Sequence, residues 1–226
     1  MQPRPSAPTS LDILIARAEA IAGLSLAELA EHYSIQMPKN LTREKGWVGQ
    51  LIEYALGADA GSRPEPDFTK LGVELKTLPV SHLGEPLETT YICVAPRLGQ
   101  SGVCWRQSLV YKKLAHVLWV PVEAERQQPL HERRIGTPLL WQPTEQQEAL
   151  LQADWEELME LIALGHSISA RHGEYLQLRP KAADGSVTTK AFDDQGKPIQ
   201  AQPKGFYLKK TFTRMLLQQA FVTVPI

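Results

Sequence analysis

Residues 66–80 read PDFTKLGVELKTLPV, and the reading of this stretch decides the fold. From Gly72 the pattern alternates: Val73, Leu75 and Thr77 fall on one side of an extended chain, Glu74 and Lys76 on the other. The spacing predicts a strand over 72–79, hydrophobic enough for the centre of a sheet. Asp67 stands one short turn upstream, close enough to meet the strand's start. Two carboxylates and an ammonium on one face make a poor core and a good site. Carboxylate oxygens suit a hard divalent cation such as Mg²⁺, which keeps positions for phosphate and water. A lysine beside them can hold an attacking water, and its charge keeps the acids ionised. The bland alternative is a solvated strand face that happens to carry a Glu/Lys pair.

Upstream lies the loop GADAGSRPEP (57–66), and before it the period is helical. Leu11, Leu14, Ile15, Ala18, Ile21 and Ala22 mark a first helix over 11–22, after a Pro- and Ser-rich lead-in at 1–9 expected to be disordered. Ser25 opens a second helix, with Glu28 three residues on to complete a capping box. A third is expected from Thr42 to Leu56, closed by Gly57 and striped with Val48, Leu51, Ile52 and Ala55. Glu53 sits mid-helix on a face lined by Gly46, Gly49, Gln50 and Gly57. Mid-helix glycine costs about 1 kcal/mol relative to alanine, so this face implies close approach by something bulky or packing through small residues.

Downstream, strands are expected at 89–95 and 116–122, the latter a continuous apolar run, with a short basic helix over 106–115 between them. The longest helix should span 145–164, entered through Thr144 with Gln147 as capping partner and stopped at Gly165. A strand follows at 174–179, with Tyr175, Gln177 and Arg179 sharing one face. Residues 182–203 read as a long loop or loose hairpin, and a strand at 205–209 and a helix at 211–220 complete the chain. Helix, strands, helix, strand in this order argue for a mixed α/β core.

The formal net charge of −1 argues against a protein that coats nucleic acid non-specifically. The charges are segregated, however: 204–214 carries four basic groups and no acid, while 144–165 carries six acids and no Lys or Arg. A basic groove or two solvated faces both fit that pattern. No apolar run reaches the roughly 18 residues of a membrane span, and the start lacks a signal peptide's apolar core, so a soluble cytoplasmic protein is expected. Cys93 and Cys104 lack zinc-ligand spacing and read as two buried, reduced thiols.

Four longer segments are more specific than any of these signals: KGWVGQLIEYALGA (45–58), PDFTKLGVELKTLPV (66–80), RHGEYLQLRPKA (171–182) and KGFYLKKTF (204–212). In this order they resemble the MutH family of mismatch-repair endonucleases, within the wider PD-(D/E)xK restriction-endonuclease-like group. The resemblance covers nearly the whole chain, weakening over the first ten residues and at 184–200. It implies a mixed sheet flanked by helices in one endonuclease domain (1–226), with a catalytic lobe at 10–125 and a DNA-recognition lobe at 126–226 forming a clamp. Asp67, Glu74 and Lys76 match the family's catalytic set, with Asp67 and Glu74 as metal ligands and Glu53 as its helix-borne carboxylate. Lys45, Gly46, Lys113, Arg179, Pro180 and Lys181 match its DNA-contacting residues, and Tyr207 matches the aromatic group that senses adenine methylation.

The activity implied is a Mg²⁺-dependent nick in the unmethylated strand of hemimethylated GATC sites, 5′ to the G. Mn²⁺ would substitute and Ca²⁺ would be non-productive. The family's partners are double-stranded DNA, MutL as activator and MutS indirectly, with the endonuclease itself a monomer. The acidic helix or the C-terminal helix is the candidate MutL-docking surface. A GATC enzyme cutting both strands as a dimer, and a non-catalytic GATC-binding module, are the alternatives.

Overall fold

The structure, a computed structural model, describes residues 3–39, 44, 46–95, 103–164, 166, 168–169, 171–181, 189–192 and 197–221, with the segments 189–192 and 198–201 described by backbone alone. Its helices are α1 (Leu11–Ala20), α2 (Leu26–His32), α3 (Trp47–Leu56), α4 (Leu109–Leu114), α5 (Glu145–Ala163) and α6 (Lys210–Phe221). Its strands are β1 (Glu74–Val80), β2 (Thr90–Val94), β3 (Val117–Glu123), β4 (Leu139–Trp141), β5 (Leu176–Pro180), β6 (Thr189–Phe192), β7 (Pro198–Ala201) and β8 (Lys204–Leu208). The class is mixed α and β, as the order of patterns predicts. Among the described residues, no helix is long and apolar enough to cross a membrane.

The chain divides into two compact units: 1–88 with 116–142, and 89–115 with 143–226. This differs from a contiguous partition at residue 125. The cause is β3, which pairs in parallel with β1 and draws 116–142 back to the first unit. A parallel partner requires a crossover, and here the crossover carries residues of the second unit.

In the first unit the sheet order is β1-β3-β4, with β3 antiparallel to β4. Every residue from Val117 to Val122 is buried, so β3 is the middle strand. Among the described residues β1 has a ladder on β3 alone, contrary to the central place expected for it. On its other side Pro86 and Leu87 approach, Leu87 N–H donating to Pro79 O at 2.9 Å, and Pro79 fits a strand with no ladder there to donate to. Leu14, Ala18, Leu29, Leu51, Ile52 and Leu56 from the three helices meet Val73, Leu75, Leu118 and Val120 in one core.

Capping chemistry places the helices. In α2 the Ser25 hydroxyl accepts from Glu28 N–H at 3.2 Å while the Glu28 carboxylate accepts from Ser25 N–H at 2.7 Å. Thr144 and Gln147 repeat this arrangement at α5. α3 starts at Trp47, later than the expected Thr42, because Gly46 has φ of 92°, outside the helical region. Residues 40–43 and 45 lie outside the described residues, as do Gly165 and 182–188.

The lead-in is also a correction. Residues 3–8 are ordered against the end of α3: Arg17 Nη1 donates to Ser6 O at 2.7 Å and to Leu56 O at 3.1 Å. A Cβ on Gly57, whose φ is 81°, would lie 2.6 Å from Ser6 O. Gly57 is thus needed both to end the helix and to admit this strap.

The second unit holds the antiparallel sheet β2-β8-β5 and the antiparallel pair β6-β7, so the described strands within 182–203 pair as the hairpin alternative has it, while 182–188 and 193–196 lie outside the described residues. Leu176, Leu178, Phe206 and Leu208 are buried under the three-stranded sheet. Asp154, one of the six acids of the acidic stretch, is buried within α5 and takes no part in a solvated face. Cys93 is buried, but Cys104 is exposed, and the two are not bonded to each other.

Candidate active site

The first unit collects the carboxylates around β1. The Phe68 N–H donates to Val73 O at 2.9 Å, and both side chains are fully buried, so burial folds the loop back on itself. That fold delivers Asp67, whose Oδ2 accepts from Leu75 N–H at 2.8 Å. Asp59 and Ala60 N–H both donate to Asp67 O, fixing the loop from the other side. Glu74 and Lys76 share a strand face as their spacing predicts, and Lys76 Nζ donates to Glu74 Oε1 at 2.7 Å. Only 14% of the lysine side chain and 4% of the glutamate side chain are exposed. A pair this shielded from water acts through a much lower effective dielectric than a surface pair.

Glu53 belongs to the same group. Burial pushes its carboxyl above the ordinary glutamate value, and the nearby charges of Asp67 and Glu74 push it further, while Lys76 and Arg4 oppose them. The glycines around it have a different meaning from the one expected. Gly46 and Gly57 cap α3 in left-handed geometry, while a Cβ on Gly49 would meet Thr77 Oγ1 at 3.9 Å and Glu53 Oε1 at 4.0 Å, both ordinary contacts.

Among the described residues no group of three His, Cys, Asp or Glu side chains is arranged to hold a metal ion. Asp67 and Glu74 are a two-carboxylate donor set of hard oxygens. That set fits an ion such as Mg²⁺, which binds through one or two carboxylates and fills its remaining positions with water and phosphate.

The second unit gathers cations on aromatics. Tyr91, Gln177, Gly205 and Tyr207 share one face of the sheet by register, with Arg179 opposite Gly205. Arg179 is exposed, its Nη1 donating to Thr89 Oγ1 at 2.7 Å and its guanidinium 5.8 Å from the Tyr207 ring centre. Lys181 Nζ donates to Tyr91 OH at 2.5 Å and lies 4.3 Å from that ring's centre. The two tyrosines meet edge to face at 5.2 Å. Gly205 permits this: a Cβ there would lie 2.9 Å from Tyr91 Cε2. Pro180 is exposed between the two cations, and Gln177 is buried beside Tyr207. Sequence reasoning does not single out Thr89, Tyr91 or Gly205; the alternation of 89–95 against 205–209 is the available signal.

This face has an anchor beneath its leading strand. The Asp154 carboxylate accepts from the N–H groups of Glu174, Tyr175 and Leu176 at 2.7, 2.6 and 2.7 Å. Gly173, with φ of 68°, turns the chain into that grip. Of the other expected contacts, Gly46 is exposed at the start of α3, Lys113 is partly buried on α4, and Lys45 lies outside the described residues.

Comparison with known proteins adds identity to this geometry. A family model described as "DNA mismatch repair enzyme MutH" matches residues 56–154, a span that includes Asp67, Glu74 and Lys76. Over 223 residues the chain is 56% identical to the DNA mismatch repair protein MutH of Serratia proteamaculans, covering 98% of each chain. The chain belongs to the MutH family. The MutH protein of Yersinia enterocolitica is 56% identical over 220 residues, covering 96% of each chain. That of Shewanella amazonensis is 58% identical over 219 residues, 96% of this chain and 98% of its own. At 98% of this chain, the match to the Serratia proteamaculans protein extends through both units.

Proposed function

We propose that this protein is the strand-discriminating endonuclease of methyl-directed mismatch repair, nicking the unmethylated strand of hemimethylated GATC sites 5′ to the G. The observation that carries the reading is the set of Glu53, Asp67, Glu74 and Lys76, gathered and coupled beside one strand. Membership of a family of DNA mismatch repair enzymes supports it.

In this mechanism Asp67 and Glu74 would hold Mg²⁺, which when bound would supply positive charge to the scissile phosphate and acidify water at the site. Lys76 is oriented by its hydrogen bond to Glu74 and donates to the attacking oxygen. That oxygen forms a new bond to phosphorus as one phosphoester bond breaks, and the leaving oxygen takes up a proton. Glu53, with its affinity for a proton raised, is suited to pass protons to and from water at the site. Arg179 reads a guanine edge or a phosphate, for which its forked donors are suited. Tyr207 lines the place where an adenine N6 methyl would displace a hydrogen bond. MutL is the activator in this reading, with the protein acting as a monomer.

A nicking assay on unmethylated, hemimethylated and fully methylated GATC duplexes, with and without MutL, tests it. Mg²⁺-dependent nicking of the unmethylated strand, stimulated by MutL, is the expected result. Cleavage of both strands without MutL would favour a restriction-type dimer, and GATC binding with no nicking would favour a pure binder.

A further inference from the structure

The strap at the chain's start brings a cation to the carboxylate group that neither the motifs nor the mechanism above uses. Arg4 lies between Pro3 and Pro5, which restrict the backbone on both sides, and Pro8 beyond it is buried. Ser6 O is held by Arg17, and Gly57 admits the strap's carbonyls at close range. From this base the Arg4 guanidinium donates to Ala58 O and stands 5.5 Å from the centre of the Tyr54 ring. Ala58 in turn donates its N–H to Glu53 O at 2.9 Å, so Arg4 is fastened to the same helix end that carries Glu53.

A cation at a helix C-terminus can serve only to offset exposed carbonyls. Here Arg17 already does that at Leu56 O. Arg4 is also exposed, and among the described residues its one hydrogen-bond acceptor is a single carbonyl, which engages part of a five-donor fork. Its charge is felt by Glu53, in a pocket where three acids outnumber the cations Lys76 and Arg4. Lys76 is bound to Glu74 and mostly shielded, whereas Arg4 faces water. A phosphodiester entering such a pocket needs a solvent-facing cation on its approach. A pre-anchored guanidinium fits a phosphate better than a mobile ammonium does.

We propose that Arg4 is a DNA-contacting residue, held by the N-terminal strap to bind a backbone phosphate of the duplex beside the carboxylate pocket. The inference rests on the DNA-cleaving reading above. It is tested with the full chain by fluorescence anisotropy on a GATC duplex in EDTA, titrating KCl, together with Mg²⁺-dependent nicking and thermal melting. Arg4→Gln should weaken binding about fivefold to tenfold and lower the slope of log affinity against log salt by about 0.9, the signature of one lost phosphate contact. Arg4→Lys should restore the slope. An unchanged slope in Arg4→Gln with a lowered Tm would reduce Arg4 to a helix-end brace. An unchanged slope and Tm with lost nicking would make it a partner of Glu53 alone. Either outcome overturns the proposal. If the wild type shows no salt-dependent duplex binding, the functional reading itself fails, a result distinct from a wild type that binds and an Arg4→Gln variant that binds equally well.

Discussion

The pocket around β1 and the tyrosine face of β2-β8-β5 handle charge in opposite ways. In the pocket the charges are withdrawn from water and set against one another: Glu74 is 3% exposed, and Lys76 is bonded to it. On the tyrosine face Arg179 and Lys181 stay exposed, propped on aromatic rings and single hydroxyls. Withdrawn charges keep a fixed geometry and strong mutual coupling, which bond-breaking chemistry requires. Exposed, propped cations keep the freedom to exchange a hydroxyl partner for a base edge or a phosphate, which recognition requires. The contrast separates residues whose loss should alter rate from those whose loss should alter selectivity.

The largest effect should come from the pocket. Lys76→Ala is expected to lower single-turnover nicking by about a thousandfold, near 4 kcal/mol, with duplex affinity little changed. Equal losses in rate and binding would erase the distinction between the two regions. Next comes the anchor of the tyrosine face. Asp154→Ala leaves three N–H groups, that of Leu176 fully buried, without their acceptor and should destabilise the fold by about 3 kcal/mol in urea denaturation. A loss below about 1 kcal/mol would mean that β5 does not depend on this grip.

Legibility from sequence follows the same divide between local and distant causes. The capping boxes of Ser25 with Glu28 and Thr144 with Gln147 are readable because each is complete within four residues. The shared face of Glu74 and Lys76 is readable because strand parity is local. Asp154 is illegible as an anchor because its three donors lie twenty to twenty-two residues away. β1 reads as central from its apolar residues, but the place of a strand in a sheet depends on which partners arrive, and among the described residues only β3 forms a ladder with it. The strap reads as disordered because Pro and Ser carry no periodicity. Its order comes from Arg17 and Gly57, which are distant in sequence. The identity of the family is legible through four long segments; the physics of single residues does not supply it.

A smaller effect should fall on selectivity. Arg179→Ala is expected to cost about 2 kcal/mol of discrimination between GATC and a site with one base changed, measured by competitive nicking, while the rate at saturating DNA is nearly kept. A large fall in rate with selectivity intact would place Arg179 with the pocket instead. The smallest effect is on stability in the absence of divalent ions. Glu53 binds its proton more tightly in the folded protein than in the unfolded chain, so folding stability falls as pH rises above the ordinary glutamate value. Glu53→Gln removes that penalty. Its Tm should exceed that of the wild type at about pH 8 and converge with it near about pH 4. A Glu53→Gln variant no more stable than the wild type at about pH 8 would show that the buried charge carries no such penalty.

The return of residues 116–142 to the first unit has a consequence for the order of biosynthesis. A nascent chain that has emerged only through Glu88 contains α1, α2, α3 and β1 but not β3, whose apolar residues complete their core. That early segment must wait on the ribosome, with Leu75 and its helical neighbours uncovered, while 27 residues of the other unit (89–115) are translated. Synthesis speed through this interval, and any chaperone that shields the waiting surface, should therefore govern how much of the protein reaches its native state.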